Sequence, residues 1–274
     1  MNMKKMKFTA LILSLVLVMG VLAGCADSGE ALSDEGKVIL KVGTEPTYPP
    51  FEFTNDANEI IGFDIDLANA LAEKMDMEVE IVTTSFDGIF TGLNAGNYDV
   101  IIAAVSMTPK RLETMLFSEP YLSNGQVIVT NSTDKNITSQ EELTGMKVGV
   151  QLGTTADTAA EKYAEEYGFE VSKYDEILQT FSAMKAGHVD AIAVDYAVAI
   201  EYVQLDPESY QISDVMLTNE PIAIAIKEDN TELQEKINTA MEEIRADGTL
   251  KSISEEWLGG DYTSDIDTEL NVVE

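Results

Sequence analysis

The sequence predicts an α/β protein made of two similar lobes, and three features of its 274 residues support that prediction. Short β-rich runs alternate with helical patterns of about ten to fifteen residues between residues 37 and 262. Several of the runs are apolar on both faces, as expected where helices cover both sides of a parallel sheet. Part of the sequence of the first half is repeated, with similar residues, in the second half. This alternation is typical of a layered α/β architecture.

The predicted strands are runs rich in apolar and β-branched residues, and in chain order they are Val38–Gly43, Glu78–Thr83, Val100–Ala104, Val127–Thr130, Lys147–Val150, Ala191–Val194 and Ile222–Ile226. The predicted helices carry apolar residues at helical spacing, and in chain order they are Asp66–Met75, Gly88–Ala95, Pro109–Thr114, Ala156–Tyr167, Thr180–Ala186, Asp195–Val203, Glu232–Asp247 and Leu250–Trp257. Strands that alternate with helices in this way predict βαβ units.

An internal repeat relates the two halves. Residues 95–104 parallel residues 186–195, and in both a helix ends at a glycine, a polar turn follows and a buried strand begins. The repeat places Ala104 and Asp195 at equivalent points, the carboxyl ends of equivalent strands. Ligands of open α/β sheets bind at that edge. His188 falls in the turn of the second copy, so we expect it to be exposed to solvent.

The composition excludes several classes of function. With 49 acidic and 17 basic residues the net charge is -32, which argues against binding to nucleic acid, because phosphates are neutralised by Lys and Arg. A single Cys leaves no intrachain disulfide, redox pair or thiolate zinc site. A single His excludes a multi-His metal centre. We therefore expect neither a metal nor a cofactor.

The N-terminal sequence has the pattern of an export signal. Residues 1–7 contain three lysines and no acid, and an apolar run of about 15 residues follows. The alternative, a membrane-spanning anchor, needs about 20 residues. The run ends in Leu-Ala-Gly-Cys, which resembles a bacterial lipobox with Cys25 as the lipid-modified residue. A stray Cys after an ordinary cleavage site is the alternative. We expect residues 1–24 to be removed and residues 25–37 to form a tether that is lipid-anchored to the outer face of the cell membrane.

Residues 263–274 are expected to form a loose acidic tail.

Ser106 to Arg111 is a candidate carboxylate receptor. Thr108 suits the N-cap of a helix and Pro109 its first position, which puts Arg111 in the first turn, just past a strand. A guanidinium beside free backbone N–H groups can bind a carboxylate. The alternative is an arginine in a surface ion pair. Arg245, the other arginine, lies among acids on a helix and is expected to be structural.

Three further features could line a ligand site. Residues 149–155 are predicted to form the end of a strand and a glycine turn, which place Thr154 and Thr155 at the start of a helix. These threonines could bind a ligand, or they could simply form an ordinary N-cap. Asp195 could receive an ammonium group or cap the next helix. Tyr48 and Phe86 lie in loops and could wall a small ligand or pack at the edge of the core.

The Asp64-Ile65-Asp66 segment is expected to cap a helix rather than bind calcium, because EF-hand spacing is missing.

The ordered set of these segments resembles a known family. With the lipobox Cys25, they are Val42–Phe53, Gly62–Leu67, Phe86–Ile89 and Ser106–Arg111. The set is similar to the bacterial extracellular solute-binding proteins of family 3, the polar amino-acid receptors of ABC importers, over about residues 38–262. The resemblance implies a two-lobe, periplasmic-binding-protein-like fold of type II, a Venus flytrap with two hinge segments. Lobe one would comprise residues 38–121 and 222–262, and lobe two residues 126–218.

The resemblance also implies how the backbone part of an amino acid would be bound. Arg111 would hold the α-carboxylate, helped by the hydroxyls of Ser106 and Thr155. Asp195 would hold the α-ammonium group, with the carbonyl of Ala104 alongside. The family often has Gly or a small hydroxyl residue at the position of Ala104, so only a main-chain role is implied there.

The side chain of the ligand would meet a second group of residues. Tyr48 and Phe86 would sandwich it, and Glu45 and Gln151 would face its tip. An acid without a lysine opposite favours a basic ligand such as arginine, lysine or ornithine. Glu45 could instead point to solvent or cap a turn. A neutral ligand such as glutamine or cystine is then the alternative.

The function that follows is capture of a free amino acid and delivery to the membrane permease of an ABC importer. The expected chain is a monomeric, extracytoplasmic lipoprotein rather than an enzyme. An enzyme on the same scaffold, such as a periplasmic dehydratase, and an adhesin-like lipoprotein remain alternatives.

Overall fold

The computed structural model describes Leu32 and residues 36–272. The predicted signal sequence and Cys25 lie outside the described residues. Of the expected tether, Leu32, Gly36 and Lys37 are described, and Leu32 makes an antiparallel bridge with Val38. No helix in this part of the chain has the length and apolar character needed to cross a membrane.

Lobe one is built on a five-stranded sheet. In spatial order its strands are β5 (Met77–Thr83), β1 (Val38–Thr44), β6 (Val100–Ile101), β15 (Ala225–Lys227) and β7 (Met115–Phe117). β1 pairs in parallel with β5 and β6, whereas β15 runs antiparallel to β6 and β7. Its helices are α1 (Phe63–Lys74), α2 (Phe86–Ala95), α3 (Pro109–Leu112), α7 (Thr231–Ala246) and α8 (Thr249–Leu258).

Lobe two repeats this plan. In spatial order its strands are β11 (Glu170–Tyr174), β10 (Lys147–Gln151), β12 (Ala191–Asp195), β9 (Gln126–Asn131) and β13 (Tyr210–Met216). β10 pairs in parallel with β11 and β12, and β9 is antiparallel to β12 and β13. Its helices are α4 (Thr155–Tyr167), α5 (Ile177–Lys185) and α6 (Tyr196–Leu205), with a 3₁₀ turn at Gln140–Leu143.

The predicted internal repeat is confirmed in register. Val100 pairs with Val42 in lobe one, and Ala191 pairs with Val148 in lobe two. The polar turns match as well, because the aspartates before β6 and β12 each accept a hydrogen bond from the backbone of a lysine, at 2.9 and 2.8 Å. His188 is exposed, as the repeat predicts.

The elements that the sequence missed are short or lie at sheet edges. β2 (Thr47–Tyr48), β3 (Glu52–Thr54) and β4 (Ile60–Ile61) form a small antiparallel sheet whose strands are too short to show a periodic pattern. β7, β11 and β13 are edge strands of the two main sheets. β11 carries no fully buried residue, so its apolar signal is weak.

Two strands connect the lobes. β8 (Leu122–Asn124) leads from lobe one to lobe two, β14 (Glu220–Ile222) leads back, and the two pair antiparallel. The predicted single strand Ile222–Ile226 is wrong, since Ile222 ends β14 and Ala225 begins β15 in another sheet. Residues 222–226 are all completely buried, so hydrophobicity gave no sign of the break.

Core packing sets the position of both sheets. Helix α1 buries Phe63, Leu67 and Leu71, which lie at helical spacing on one face and are each 0 % exposed. The central strands are apolar because both of their faces are covered; Val100 and Ile192 are 0 % exposed. The carboxyl ends of the parallel strands thereby open toward the space between the lobes.

The C-terminal segment is docked, and the expectation of a loose tail is wrong. Arg245 donates to the carbonyl of Thr263 at 2.7 Å. The amide of Asp267 donates to Oγ of Ser123, the middle residue of β8, at 2.7 Å. Asn271 and Asn219 exchange two backbone hydrogen bonds of 2.9 and 3.0 Å, just before β14. The segment therefore crosses both connecting strands. Its contacts use polar and backbone groups, so no hydrophobic pattern predicts them.

This docking predicts protection of tail amides from hydrogen exchange. The Asp267 and Asn271 amides should exchange more slowly than unstructured amides, because both are hydrogen-bonded. An Asn219→Ala variant, which removes the side-chain bonds to Asp267 and Glu269, should lose much of that protection. Exchange monitored by NMR provides the measurement. Asn97→Ala, in an exposed turn, serves as the control. Unprotected amides in the natural chain would contradict the docking.

Candidate functional site

A small cavity lies between the lobes, at the carboxyl ends of the parallel strands. Residues of both lobes line it: Tyr48, Phe86, Ala103, Ala104, Ser106, Arg111, Gln151, Thr154, Thr155 and Asp195. All of the predicted ligand-binding residues except Glu45 are in this set. The cavity measures about 10 Å³, which is about the space one water molecule needs. The lobes are thus closed on each other, and an amino acid can enter only if they separate.

Arg111 is held in place by the turn that precedes it. Thr108 Oγ1 accepts a 3.1 Å bond from the Arg111 amide, as predicted for an N-cap. The guanidinium donates to the Ser106 carbonyl at 2.8 Å and, across the lobes, to the Gly153 carbonyl at 3.5 Å. It also lies 4.6 Å from the ring centroid of Phe90. These contacts aim a planar cation at the cavity.

The helix that carries Arg111 is shorter than predicted. It ends at Leu112 rather than Thr114 and so forms only one turn. A single turn has little macrodipole, so the positive charge at this wall comes from the guanidinium itself rather than from the helix.

Asp195 connects the two lobes. It ends β12 and precedes α6, but its side chain makes no capping hydrogen bond. Its carboxylate instead accepts hydrogen bonds from Tyr48 of lobe one, from Asn124 of β8 and, at 2.7 Å, from Gln126. Gln126 also donates to Thr155 Oγ1 at 3.0 Å. Burial raises the pKa of Asp195 to about 6, and the hydrogen bonds oppose that rise.

Sequence reasoning missed Asn124 and Gln126. Both flank Gly125 on the segment that crosses between the lobes, and nothing in their local pattern distinguishes them from other turn residues. The repeat could only show where Asp195 lies along its own strand, not which side chains from the hinge reach it.

Glu45 lies behind Gln151 rather than on the cavity wall. The two residues are equivalent in the repeat: Glu45 comes directly after β1, and Gln151 is the last residue of β10. Gln151 Nε2 donates to Glu45 Oε2 at 3.3 Å across the lobes. Thr47 donates its hydroxyl to the other carboxylate oxygen. Glu45 is only 4 % exposed, so it does not point to solvent. Burial raises the pKa of Glu45 to about 7.

Asp64 fixes the backbone at the cavity wall, and the expectation that it caps a helix is wrong. It lies inside the first turn of α1, is 0 % exposed, and accepts bonds from the Ala104 amide at 2.6 Å and the Tyr121 hydroxyl at 2.8 Å. Ala104 has a φ of 47°, a left-handed conformation that is costly for a residue with a side chain. The charge-assisted bond to Asp64 stabilises this conformation.

A second acid supports Asp64. Glu52 is 1 % exposed and hydrogen-bonds Asp64. Burial, together with the nearby charge of Asp64, raises the pKa of Glu52 well above its usual range. This favours the protonated form of Glu52, which can donate a hydrogen bond to Asp64. Burial also raises the pKa of Asp64, to about 6.

Comparison with known proteins places this chain among binding proteins for small solutes. Residues 40–260 match the family model of the bacterial extracellular solute-binding proteins, family 3. A probable amino-acid ABC transporter-binding protein of Haemophilus influenzae is 33 % identical over 95 % of this chain and 100 % of its own length. The L-cystine-binding protein TcyJ of Escherichia coli is 30 % identical over 90 % of this chain and 96 % of its own.

A solved structure extends the likeness to the fold. An ancestral arginine-binding protein bound to arginine is 43 % identical, with a TM-score of 0.77, over 81 % of this chain and 98 % of its own length. It is similar to this chain in its two-lobe architecture, which agrees with the periplasmic-binding-protein-like fold of type II predicted from the sequence.

The role of Asp64 can be tested by stability. Asp64→Ala leaves the Ala104 amide and the Tyr121 hydroxyl without their acceptor, and bonds to a charged group are worth about 2 to 3 kcal/mol. We expect the free energy of unfolding, measured in urea, to fall by about that amount. Asp56→Ala, at an exposed position, should change it by less than about 0.5 kcal/mol. Equal effects of the two substitutions would show that Asp64 does not hold the wall.

Proposed function

Because the chain belongs to the bacterial extracellular solute-binding proteins of family 3, we propose that it captures a free amino acid between its lobes and delivers it to the permease of an ABC importer. The family places the chain outside the cytoplasm. As part of the proposal, the mature chain is a monomer held at the membrane by a lipid on Cys25. Cell fractionation of a Cys25→Ser variant tests that anchor.

One observation carries the proposal: Arg111 and Asp195 come from opposite lobes and face the same cavity. A guanidinium can bind an α-carboxylate through two parallel hydrogen bonds. A buried carboxylate can receive an α-ammonium group. The hydroxyls of Ser106 and Thr155 and the carbonyl of Ala104 add polar partners at the same wall. An α-amino acid is the smallest common ligand that satisfies both charged groups at once.

Binding then follows from lobe movement. In the open form the ligand carboxylate meets Arg111 on lobe one. Closure brings up Asp195, and the ligand ammonium replaces the Tyr48 hydroxyl as its donor. Only the closed form makes both sets of contacts, so the ligand shifts the population toward closure. Micromolar affinity requires about 8 kcal/mol, which two charge-assisted contacts and the aromatic walls of Tyr48 and Phe86 can supply.

We propose that the ligand has a basic side chain, such as that of arginine, lysine or ornithine. Gln151 lines the cavity, and Glu45 lies directly behind it, buried, with Gln151 and Thr47 rather than a cation as its hydrogen-bond donors. A positive ligand group at that end would favour the ionised form of Glu45. A neutral ligand such as glutamine or cystine would leave the proton on Glu45 and bond mainly to Gln151.

Binding is favoured over catalysis at this site. None of the described residues that line the cavity is a Cys or a His, so the hydroxyls of Ser106 and Thr155 have no neighbouring imidazole to activate them. The cavity can hold and orient an amino acid.

The central test is the affinity of an Arg111→Ala variant. Loss of the carboxylate partner should weaken amino-acid binding by about 100-fold or more in titration calorimetry, because a bidentate charged contact is worth about 3 kcal/mol. Lys110→Ala, at the exposed neighbouring position, should bind as the natural chain does. An unchanged affinity in Arg111→Ala would refute the site.

The ligand class can be tested through pH. A cationic ligand needs Asp195 and Glu45 ionised, and their pKa values of about 6 and about 7 are raised in the unliganded form. Affinity for arginine should therefore rise from about pH 5 to about pH 8, as both groups lose protons before binding. The affinity for glutamine should rise only with the loss of the Asp195 proton, near pH 6, because a neutral side chain does not need Glu45 to be ionised.

A Glu45→Gln variant isolates the part of the pH dependence that comes from Glu45, whose pKa is about 7. It should weaken arginine binding by about tenfold at about pH 8 and leave glutamine binding unchanged. Glu208→Gln, at an exposed site, is the matched control.

A thermal-shift screen of the twenty amino acids, ornithine, citrulline and cystine decides the class of ligand directly. Stabilisation by neutral or acidic ligands alone would overturn the basic preference.

A further inference from the structure

A second cavity lies behind the strands that connect the lobes. Its walls are α6 of lobe two, the end of α8 of lobe one, and β8 between them. It measures about 290 Å³, against about 10 Å³ for the cavity between the lobes. We call it the hinge cavity. Because both lobes line it, its shape depends on how far they are closed.

The side chains of the hinge cavity are suited to a cation. Trp257, Tyr196 and Tyr262 line it, and the two tyrosines are 41 % and 46 % exposed. Glu201 and Glu256 line it as well, whereas none of the described lining residues is Lys, Arg or His. Aromatic faces and carboxylates together attract an organic cation through cation–π and ionic contacts. A carboxylate on the ligand would be repelled.

The hinge cavity touches the amino-acid site through one side chain. Asn124 lines the hinge cavity, and its amide donates a hydrogen bond to Asp195 of the other cavity. Tyr196, which follows Asp195 in the chain, lines the hinge cavity too. A ligand behind the hinge would therefore contact the residues that hold and follow Asp195.

We propose that the hinge cavity binds a small organic cation with a flat apolar body, an arylalkylammonium without a carboxylate, and that its occupation favours the closed lobes. The ammonium group lies near Glu201 and Glu256, and the ring packs on the aromatic side chains. An occupant that contacts α6 and α8 together holds the lobes at the present spacing. By linkage, it raises the affinity of the amino-acid site.

Phenethylamine and the fluorescence of Trp257 provide the test. Trp257 is the single tryptophan of the chain and lines the hinge cavity, so its emission reports binding there. We expect a saturable change in the natural chain, and an affinity about fivefold weaker in Glu201→Gln and in Tyr196→Ala. Glu165→Gln, on an exposed face of α4, is the matched control.

Two further measurements separate this site from the amino-acid site. Arg111→Ala, which lacks the carboxylate partner of the amino-acid site, should still give a saturable phenethylamine signal. Saturating phenethylamine should tighten amino-acid binding severalfold in calorimetry. The proposal is overturned if no saturable signal appears, if Glu201→Gln and Tyr196→Ala match Glu165→Gln, or if Arg111→Ala abolishes the signal. An amino-acid affinity that stays constant or falls would overturn the coupling.

Discussion

The hydrogen bonds around the Asp195 carboxylate set the arrangement of the whole molecule. Its three donors come from the small sheet of lobe one, from the connecting strand β8 and from the start of β9 in lobe two. In this closed form the donors lie together, and Tyr48 is the one that comes from the lobe opposite Asp195. A carboxylate buried to this degree needs its partners, because an unpaired charge in the interior is costly. The closed form is consequently stabilised by these bonds between the lobes.

The interior of the molecule holds more acids than cations, and that imbalance shapes the site. Glu45, Glu52, Asp64 and Asp195 are each at most 5 % exposed. Burial raises the pKa of all four. Glu52 and Asp64 are hydrogen-bonded to each other, whereas Asp195 lines the cavity between the lobes and Glu45 lies behind Gln151. A ligand with two positive groups would be the natural counterpart of the second pair.

The sequence predicts the architecture well where the signal is periodic or repeated. The register of Val42 with Val100 and of Val148 with Ala191 follows from the repeat, and the Thr108 cap follows from residue preferences at helix starts. The break between Ile222 and Ala225 was not predictable, because burial is uniform there. Asp64 was misjudged since its partners, Ala104 and Tyr121, are distant in the chain. Long-range polar contacts of this kind leave no local pattern.

The docked C-terminal segment makes the end of the chain part of the pivot. Residues 263–272 cross beside Ser123 and Asn219, so a load applied after residue 272 acts on the connecting strands before it reaches either lobe. A fluorescent protein joined there would sense bending at the pivot directly, which suits the design of an optical amino-acid sensor. An affinity tag joined at the same point would lie next to the connecting strands, which the segment contacts through Ser123 and Asn219.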